Sequence, residues 1–185
     1  QIRRRGGPRR DHAVLVRTNA LTRSLEQALT TSSIDYEVVG ATRFYDRAEI
    51  KDAMSWLRLA FNGRDQIAFA RAISVPKRGI GAVTITKLAD LAAEKQQPIL
   101  GVAHEFGQTG STKAAATIAT FVDLVDQVAE AALFQGPVAA IETILDVCGV
   151  RAVVRERDKK EHTQREENLD QLLAHAEEFA DHPDG

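Results

Sequence analysis

The 185-residue chain has a single cysteine, Cys148, which excludes an internal disulfide framework and any cysteine-based zinc site. That cysteine lies in the apolar run Ile144-Leu-Asp-Val-Cys-Gly149 and reads as a buried thiol. No apolar run approaches the roughly 18 residues of a membrane-crossing helix. The opening Gln1-Ile-Arg-Arg-Arg-Gly-Gly-Pro8 carries charge with no apolar stretch behind it and does not read as a signal peptide. These absences predict a soluble, cytoplasmic protein with no membrane partner. His12, His104, His162, His175 and His182 never pair at i, i+4, and no H-E-x-x-H occurs, so no metal site is expected. His175 and Glu178 read as a solvated helix face. No G-x-S-x-G or other nucleophile motif is found, and no catalytic residue is assigned. Gly107-Gln-Thr-Gly-Ser-Thr-Lys113 resembles a phosphate loop only superficially. Its lysine does not directly follow the glycine, and a helix rather than a strand precedes it, so a plain interhelical loop capped by Ser111 is predicted.

What the chain lacks in net charge it holds in segregated charge. The total is −2, yet residues 1–10 carry five Arg and no acid, while residues 166–185 carry seven acids and no Lys or Arg. The stretch between carries 19 charges of each sign. The average therefore does not exclude a polyanionic partner. Hydrophobic residues make up 44% of the chain, too many for a disordered one.

Hydrophobic periodicity predicts two kinds of structure. Ala13–Arg17 and Tyr36–Val39 read as short strands around a helix capped by Asn19, with Leu21, Leu25, Ala28 and Leu29 on its apolar face. That is a β-α-β unit, and two strands without neighbours leave edges and faces uncovered, so it reads as a fragment of a larger α/β domain. Helices are predicted thereafter over Arg47–Phe61 (stripe Ile50, Met54, Leu57, Phe61), Gln66–Ile73, Val83–Lys95 and Pro98–Phe106. A long helix to Phe134 follows, presenting Ile118, Phe121, Val122, Val125 and Val128, and then one from Pro137 to Gly149. A last helix runs to Phe179, opened by the capping box Thr163-Gln-Arg-Glu166. The expected fold class is mainly α, with a small α/β piece at the N-terminus.

The most informative stretch is Gln66–Ala89, with four basic residues (Arg71, Lys77, Arg78, Lys87) and no acid. At its centre Lys77-Arg-Gly-Ile-Gly81 leads into a helix near Thr84. Glycines allow close backbone approach, and a helix N-terminus offers unpaired N–H groups, so this pattern suits a DNA phosphate gripped without sequence readout. The alternative is a glycine turn with solvated charges. Arg17-Thr-Asn19, at a strand end, and Arg43 and Arg47, around Phe44-Tyr45, suit a single strand and its bases. Here too the alternative stays open, with Phe44 and Tyr45 in the core and the arginines paired to Asp46, Glu49 and Asp52.

These residues also carry a resemblance. Ala13-Val-Leu-Val-Arg-Thr-Asn-Ala-Leu-Thr-Arg-Ser-Leu-Glu-Gln-Ala-Leu29, Val39-Gly-Ala-Thr-Arg-Phe-Tyr-Asp-Arg-Ala-Glu-Ile-Lys-Asp52, Ile73-Ser-Val-Pro-Lys-Arg-Gly-Ile-Gly81 and Arg165-Glu-Glu-Asn-Leu169 resemble, in order and spacing, successive motifs of UvrD/PcrA/Rep-type superfamily 1 DNA helicases. The resemblance spans nearly the whole chain. It implies that residues 1–50 are part of the second RecA-like motor domain (2A) and residues 51–185 the helical 2B subdomain. It implies an ATP-dependent 3′–5′ helicase or translocase of DNA repair or replication, with repair or replication proteins as further partners. ATP and Mg2+ would be needed by the full enzyme, and no cofactor by this segment, which lacks the ATP-hydrolysing motifs. Carried over residue by residue, Arg17, Asn19 and Arg43 match single-strand contacts, and Lys77, Arg78, Gly79, Ile80, Gly81 and Thr84 match the element on duplex DNA. The sequence departs from the pattern at Leu21-Thr22, where the family has Gln-Ser, and at Ala41, which stiffens the turn before Arg43. A non-enzymatic DNA-binding or docking module and a helicase-nuclease subunit of RecB/AddA type remain as other readings.

Overall fold

The computed structural model describes residues 12–16, 20–38 and 43–180. By its internal contacts the chain divides into two units, Gln1–Phe44 and Tyr45–Gly185.

In the first unit the expected helix forms as α1, Ala20–Thr31. It closes at Ser33, whose positive φ of 51° turns the chain so that the Ile34 N–H donates to the Leu29 carbonyl at 2.8 Å. The Tyr36 hydroxyl donates to Glu26 Oε2 at 3.2 Å and ties the following segment to α1. The two expected strands are not seen: among the described residues no strand occurs, Ala13–Val16 and Tyr36–Val38 have no regular secondary structure, and Arg17 and Val39 lie outside the described residues. A ladder needs a neighbouring strand, and among the described residues there is none. Leu15 is accordingly 95% exposed. Arg17 and Asn19, with its expected cap, lie outside the described residues.

The second unit is helical. Its elements are α2 (Ala48–Phe61), α3 (Gln66–Ser74), α4 (Ala82–Lys95), α5 (Ile99–Thr109), α6 (Lys113–Phe134), α7 (Pro137–Glu142), a π-helical turn (Thr143–Val147), α8 (Val150–Glu161) and α9 (Arg165–Ala180). Helix α6 packs against α5, α7 and α2, while α2 also meets α3, α8 and α9, and α4 leans on α5. The core gathers where α2, α3 and α6 meet. There Trp56 and Phe121 have ring centroids 5.1 Å apart, and Phe69 meets Phe121 edge-on at 5.5 Å. Offset and edge-on contacts of this kind suit the ring quadrupoles and add to the area buried.

Two helices start on a side-chain cap of their own. Asp65 caps α3 by accepting the Ala68 N–H at 2.8 Å. Thr112, one residue beyond the expected Ser111, caps α6 through the Ala115 N–H at 3.1 Å. All five apolar residues read on α6 are buried. Helix α2 differs from expectation. Ile50 is buried, but Phe61 is 64% exposed, and the helix buries Ala53, Trp56 and Leu59 instead. Packed by α3 and α6 on one side and α8 and α9 on another, it has no single stripe to read.

Beyond α7 the expected continuous helix widens into the π turn, where the Cys148 N–H donates to the Thr143 carbonyl five residues back, at 2.9 Å. Helix α8 has no counterpart in the expected elements. Only Val150 and Val154 face inward, too thin an apolar signal within Val-Arg-Ala-Val-Val-Arg-Glu-Arg-Asp-Lys-Lys-Glu161. The capping box also changes hands. Asp158 accepts both the Thr163 hydroxyl, at 2.5 Å, and the Glu166 N–H, at 2.8 Å, so a residue of α8 starts α9.

Candidate nucleic-acid interface

The loop between α3 and α4 runs Val75-Pro76-Lys77-Arg78-Gly79-Ile80-Gly81. Its shape depends on Gly79, which has φ +74° and faces open space, a backbone state that side-chain-bearing residues rarely adopt. Gly81 follows as the extended N-cap of α4. The Thr84 and Ile85 N–H groups close onto the Gly81 carbonyl at 3.1 and 3.3 Å, and no side chain caps the helix. This end of α4 therefore presents backbone donors and a partial positive charge.

The four basic residues of the acid-free stretch separate into two pairs. Lys77 and Lys87 are exposed. Arg71 turns back, its Nε donating to Asp52 Oδ1 at 2.8 Å and one terminal nitrogen to the Ala48 carbonyl at 3.3 Å. Arg78 turns inward as well, donating to the carbonyls of Pro76 (3.0 Å), Cys148 (3.1 Å) and Ala72 (3.3 Å). Its guanidinium carbon lies 4.8 Å from the Trp56 ring centroid and 5.6 Å from that of Phe121. Burial pulls the Arg78 pKa below its ordinary value, with partial relief from Cys148. Of the duplex candidates, then, Lys77, Gly79 and Gly81 are exposed, Ile80 and Thr84 are half-buried, and Arg78 faces the core. Nothing within the loop's own sequence distinguishes Arg78 from Lys77. The partners that do, Trp56, Phe121 and Cys148, come from distant elements.

A shallow hollow of about 580 Å³ continues along α4 past Ala82, Val83 and Lys87 toward Asp90 and Glu94. Lys87 thus stands near the start of α4, Asp90 and Glu94 follow, and the helix ends on Lys95, which pairs with Glu105 at 2.7 Å.

Of the single-strand candidates, Arg43 is exposed, with its guanidinium carbon 5.6 Å from the Tyr36 ring centroid. Phe44 is buried and Tyr45 is half exposed, so the pair divides between the two readings offered for it. Tyr45 and His175 share a short hydrogen bond and a tilted ring contact at 5.9 Å, so His175 is engaged rather than solvated. Arg47 is buried and donates to Asn168 Oδ1 at 2.5 Å, while Asn168 Nδ2 donates to Glu49 Oε1 at 2.6 Å. Asp52, also buried, pairs with Arg71 and, at 3.4 Å, with Arg157. Two of the sequence motifs, Arg47-Ala-Glu-Ile-Lys-Asp52 and Arg165-Glu-Glu-Asn-Leu169, therefore meet in one polar cluster whose geometry is structural.

Among the described residues no group of His, Cys, Asp and Glu could hold a metal ion. The Gly107–Lys113 segment does not fit a nucleotide phosphate either. A Cβ at Gly110 would stand 2.5 Å from Ala115 Cβ, and one at Gly107 would stand 3.0 Å from the Ala119 backbone, so these glycines let α5 and α6 approach each other. No helix among the described residues is long and apolar enough to cross a membrane.

The fold and the loop together define a helical unit with a glycine turn and a helix end that no side chain caps. Comparison with known proteins sharpens this class. A family described as the UvrD-like helicase C-terminal domain matches residues 1–184, and the chain belongs to that family. It is similar to the "ATP-dependent DNA helicase PcrA" of Bacillus subtilis (strain 168), at 35% identity over 91% of this chain and 23% of that protein. It is similar to the "DNA helicase II" of Escherichia coli K12, at 31% over 95% of this chain and 25% of that protein. The "DNA helicase II" of Rickettsia typhi matches at 33% over 91% and 26%. The chain thus spans about a quarter of the length of these relatives.

Proposed function

We propose that this chain is the DNA-engaging 2A/2B portion of an ATP-dependent 3′–5′ DNA helicase of the UvrD/PcrA type, acting in DNA repair or replication. Residues 1–50 belong to the second motor domain and residues 51–185 to the 2B subdomain. The single observation carrying this reading is the outward face of the 77–84 loop, where Lys77, two exposed glycines and the uncapped α4 end lie together in a chain of this helicase family. Such a surface holds a phosphate backbone without reading bases. Arg17, Asn19 and Arg43 hold the single strand from the motor side. The exposed apolar run Ala13–Val16 supports a place in a larger sheet that supplies the missing neighbours.

ATP binding and hydrolysis belong to other parts of such an enzyme. In this chain the residues move no phosphate. They bind and orient DNA while the motor domains step. The test uses the chain and a labelled duplex with a single-stranded tail. Lys77→Ala is expected to weaken binding by about tenfold, the value of one charge-assisted contact of roughly 1.5–3 kcal/mol, alike for all sequences. The dependence of log K on log salt should fall by about one. DNA-stimulated ATP turnover by the isolated chain should be absent. Unchanged affinity at low salt, or real turnover, would overturn the reading.

A further inference from the structure

Arg78 is the residue whose sequence and structure point in different directions. It stands in the middle of the Lys77-Arg-Gly-Ile-Gly81 turn, where a phosphate contact is expected, yet its guanidinium is turned away from the open face. Its bonds reach three separate parts of the unit. Pro76 belongs to the loop itself, Ala72 to the last turn of α3, and Cys148 to the cap of the π turn, 70 residues away. Trp56 of α2 and Phe121 of α6 supply the aromatic surface beside it. The neighbouring carbonyl is held in the same way, with Trp56 Nε1 donating to Val75 at 3.3 Å. On one side of the loop the Val75 carbonyl is thus fastened to the fully buried Trp56 and the Pro76 carbonyl to the half-buried Arg78. The other side, Lys77 and Gly79–Gly81, carries no such fastening.

We propose that Arg78 is the positioning residue of the glycine turn: it seats the loop on the Trp56–Phe121 pair so that Lys77, the Gly79–Gly81 backbone and the α4 N-terminus face duplex DNA together, and it does not itself contact a phosphate. In this role Arg78 depends on the duplex reading of residues 77–84 given above. The chemistry suits arginine alone. A planar, always-charged fork can bond several carbonyls at once while stacking on aromatic rings, and a lysine ammonium is a compact point charge that cannot. A lysine would keep the charge a phosphate needs and lose the geometry a loop needs. The two roles therefore give opposite results in one substitution.

The test compares Lys77→Ala, Arg78→Lys and Arg78→Met in the whole chain. Three readouts are used: anisotropy of a labelled tailed duplex, emission of Trp56, the sole tryptophan, and amide hydrogen exchange across residues 76–84. Arg78→Lys and Arg78→Met are expected to weaken duplex binding alike, by about tenfold or more. Both should shift Trp56 emission to the red and speed exchange in the loop. Lys77→Ala should weaken binding with neither spectral nor exchange change. Arg78→Lys binding within about twofold of the unaltered chain, with Arg78→Met much weaker, would show the charge itself at work and overturn the proposal. Unaltered exchange and emission in both Arg78 variants would overturn it as well. If Arg78→Met loses its far-ultraviolet circular dichroism, Arg78→Lys carries the comparison. Should the unaltered chain show no salt-sensitive duplex binding, the duplex reading falls by itself, and exchange and emission still decide whether Arg78 seats the loop.

Discussion

Cys148 shows how completely the interior side of the loop is packed. Its thiol is 3% exposed, and burial pushes its pKa up to about 12 against a smaller opposing pull from Arg78. The thiolate, the reactive form, is therefore absent near neutral pH. Iodoacetamide at about pH 8 is expected to leave Cys148 unmodified in the folded chain and to label it once denaturant is added, as read by mass spectrometry. Rapid labelling of the folded chain would show that the junction between the π turn and α8 opens freely. The burial of Cys148 was legible in its apolar neighbours. The orientation of Arg78 was not, because the choice between solvent and core is made by Trp56 and Phe121, far away along the chain. The same holds for Arg71, whose partner Asp52 lies outside the acid-free stretch that made it look like part of a binding surface.

Asp158 is the corresponding lesson among the elements. It joins α8 to α9 by accepting from Thr163 and from the Glu166 backbone. Burial works to raise its pKa, and the hydrogen bonds together with Arg165 outweigh this and lower it. Glu166 is lowered too, chiefly by the hydrogen bond from Arg155. Carboxylates with depressed folded pKa values stabilise above their unfolded values, and that stability is lost as pH falls through the folded ones. Asp158→Ala is expected to destabilise the chain by about 1 kcal/mol at neutral pH in denaturant unfolding, the usual cost of a lost cap. The difference from the unaltered chain should shrink as pH falls below about 4. A difference that stays constant in acid would mean the carboxylate is not the cap. Sequence periodicity found the well-patterned helices, α6 above all. It missed α8, whose charged surface leaves two valines as its inward signal, and it gave the Glu166 N–H to the Thr163 hydroxyl because the real acceptor, the Asp158 carboxylate, sits on that unseen helix. The strands read at Ala13–Arg17 and Tyr36–Val39 are not seen among the described residues: local preference alone does not make a strand without a partner to pair with.

For the whole molecule, the two units differ in what they can support alone. Apart from Phe44, the large fully buried side chains belong to Tyr45–Gly185, whereas Val14, Leu15 and Val16 of the first unit are exposed. A chain lacking residues 1–43 is expected to unfold in one cooperative transition within about 5 °C of the full chain's midpoint, followed by circular dichroism. A broad or strongly lowered transition would place part of the core's support in the first unit. The family and the positions of the motifs were legible at this scale, since motif order survives substitution. The structural use of the Arg47 and Asn168 motifs was not, because it exists only once the chain has returned on itself.

That return has a topological consequence. Arg47 and Asn168, 121 residues apart, are joined by one hydrogen bond, and Asn168 reaches on to Glu49. The chain just before α2 and the first turn of α9 are thus held together, and the helical unit closes on itself there. Closing so long a stretch costs little more than closing a short one, about 0.6 kcal/mol for each doubling of its length, so residues added between α2 and α9 would weaken that closure only slightly.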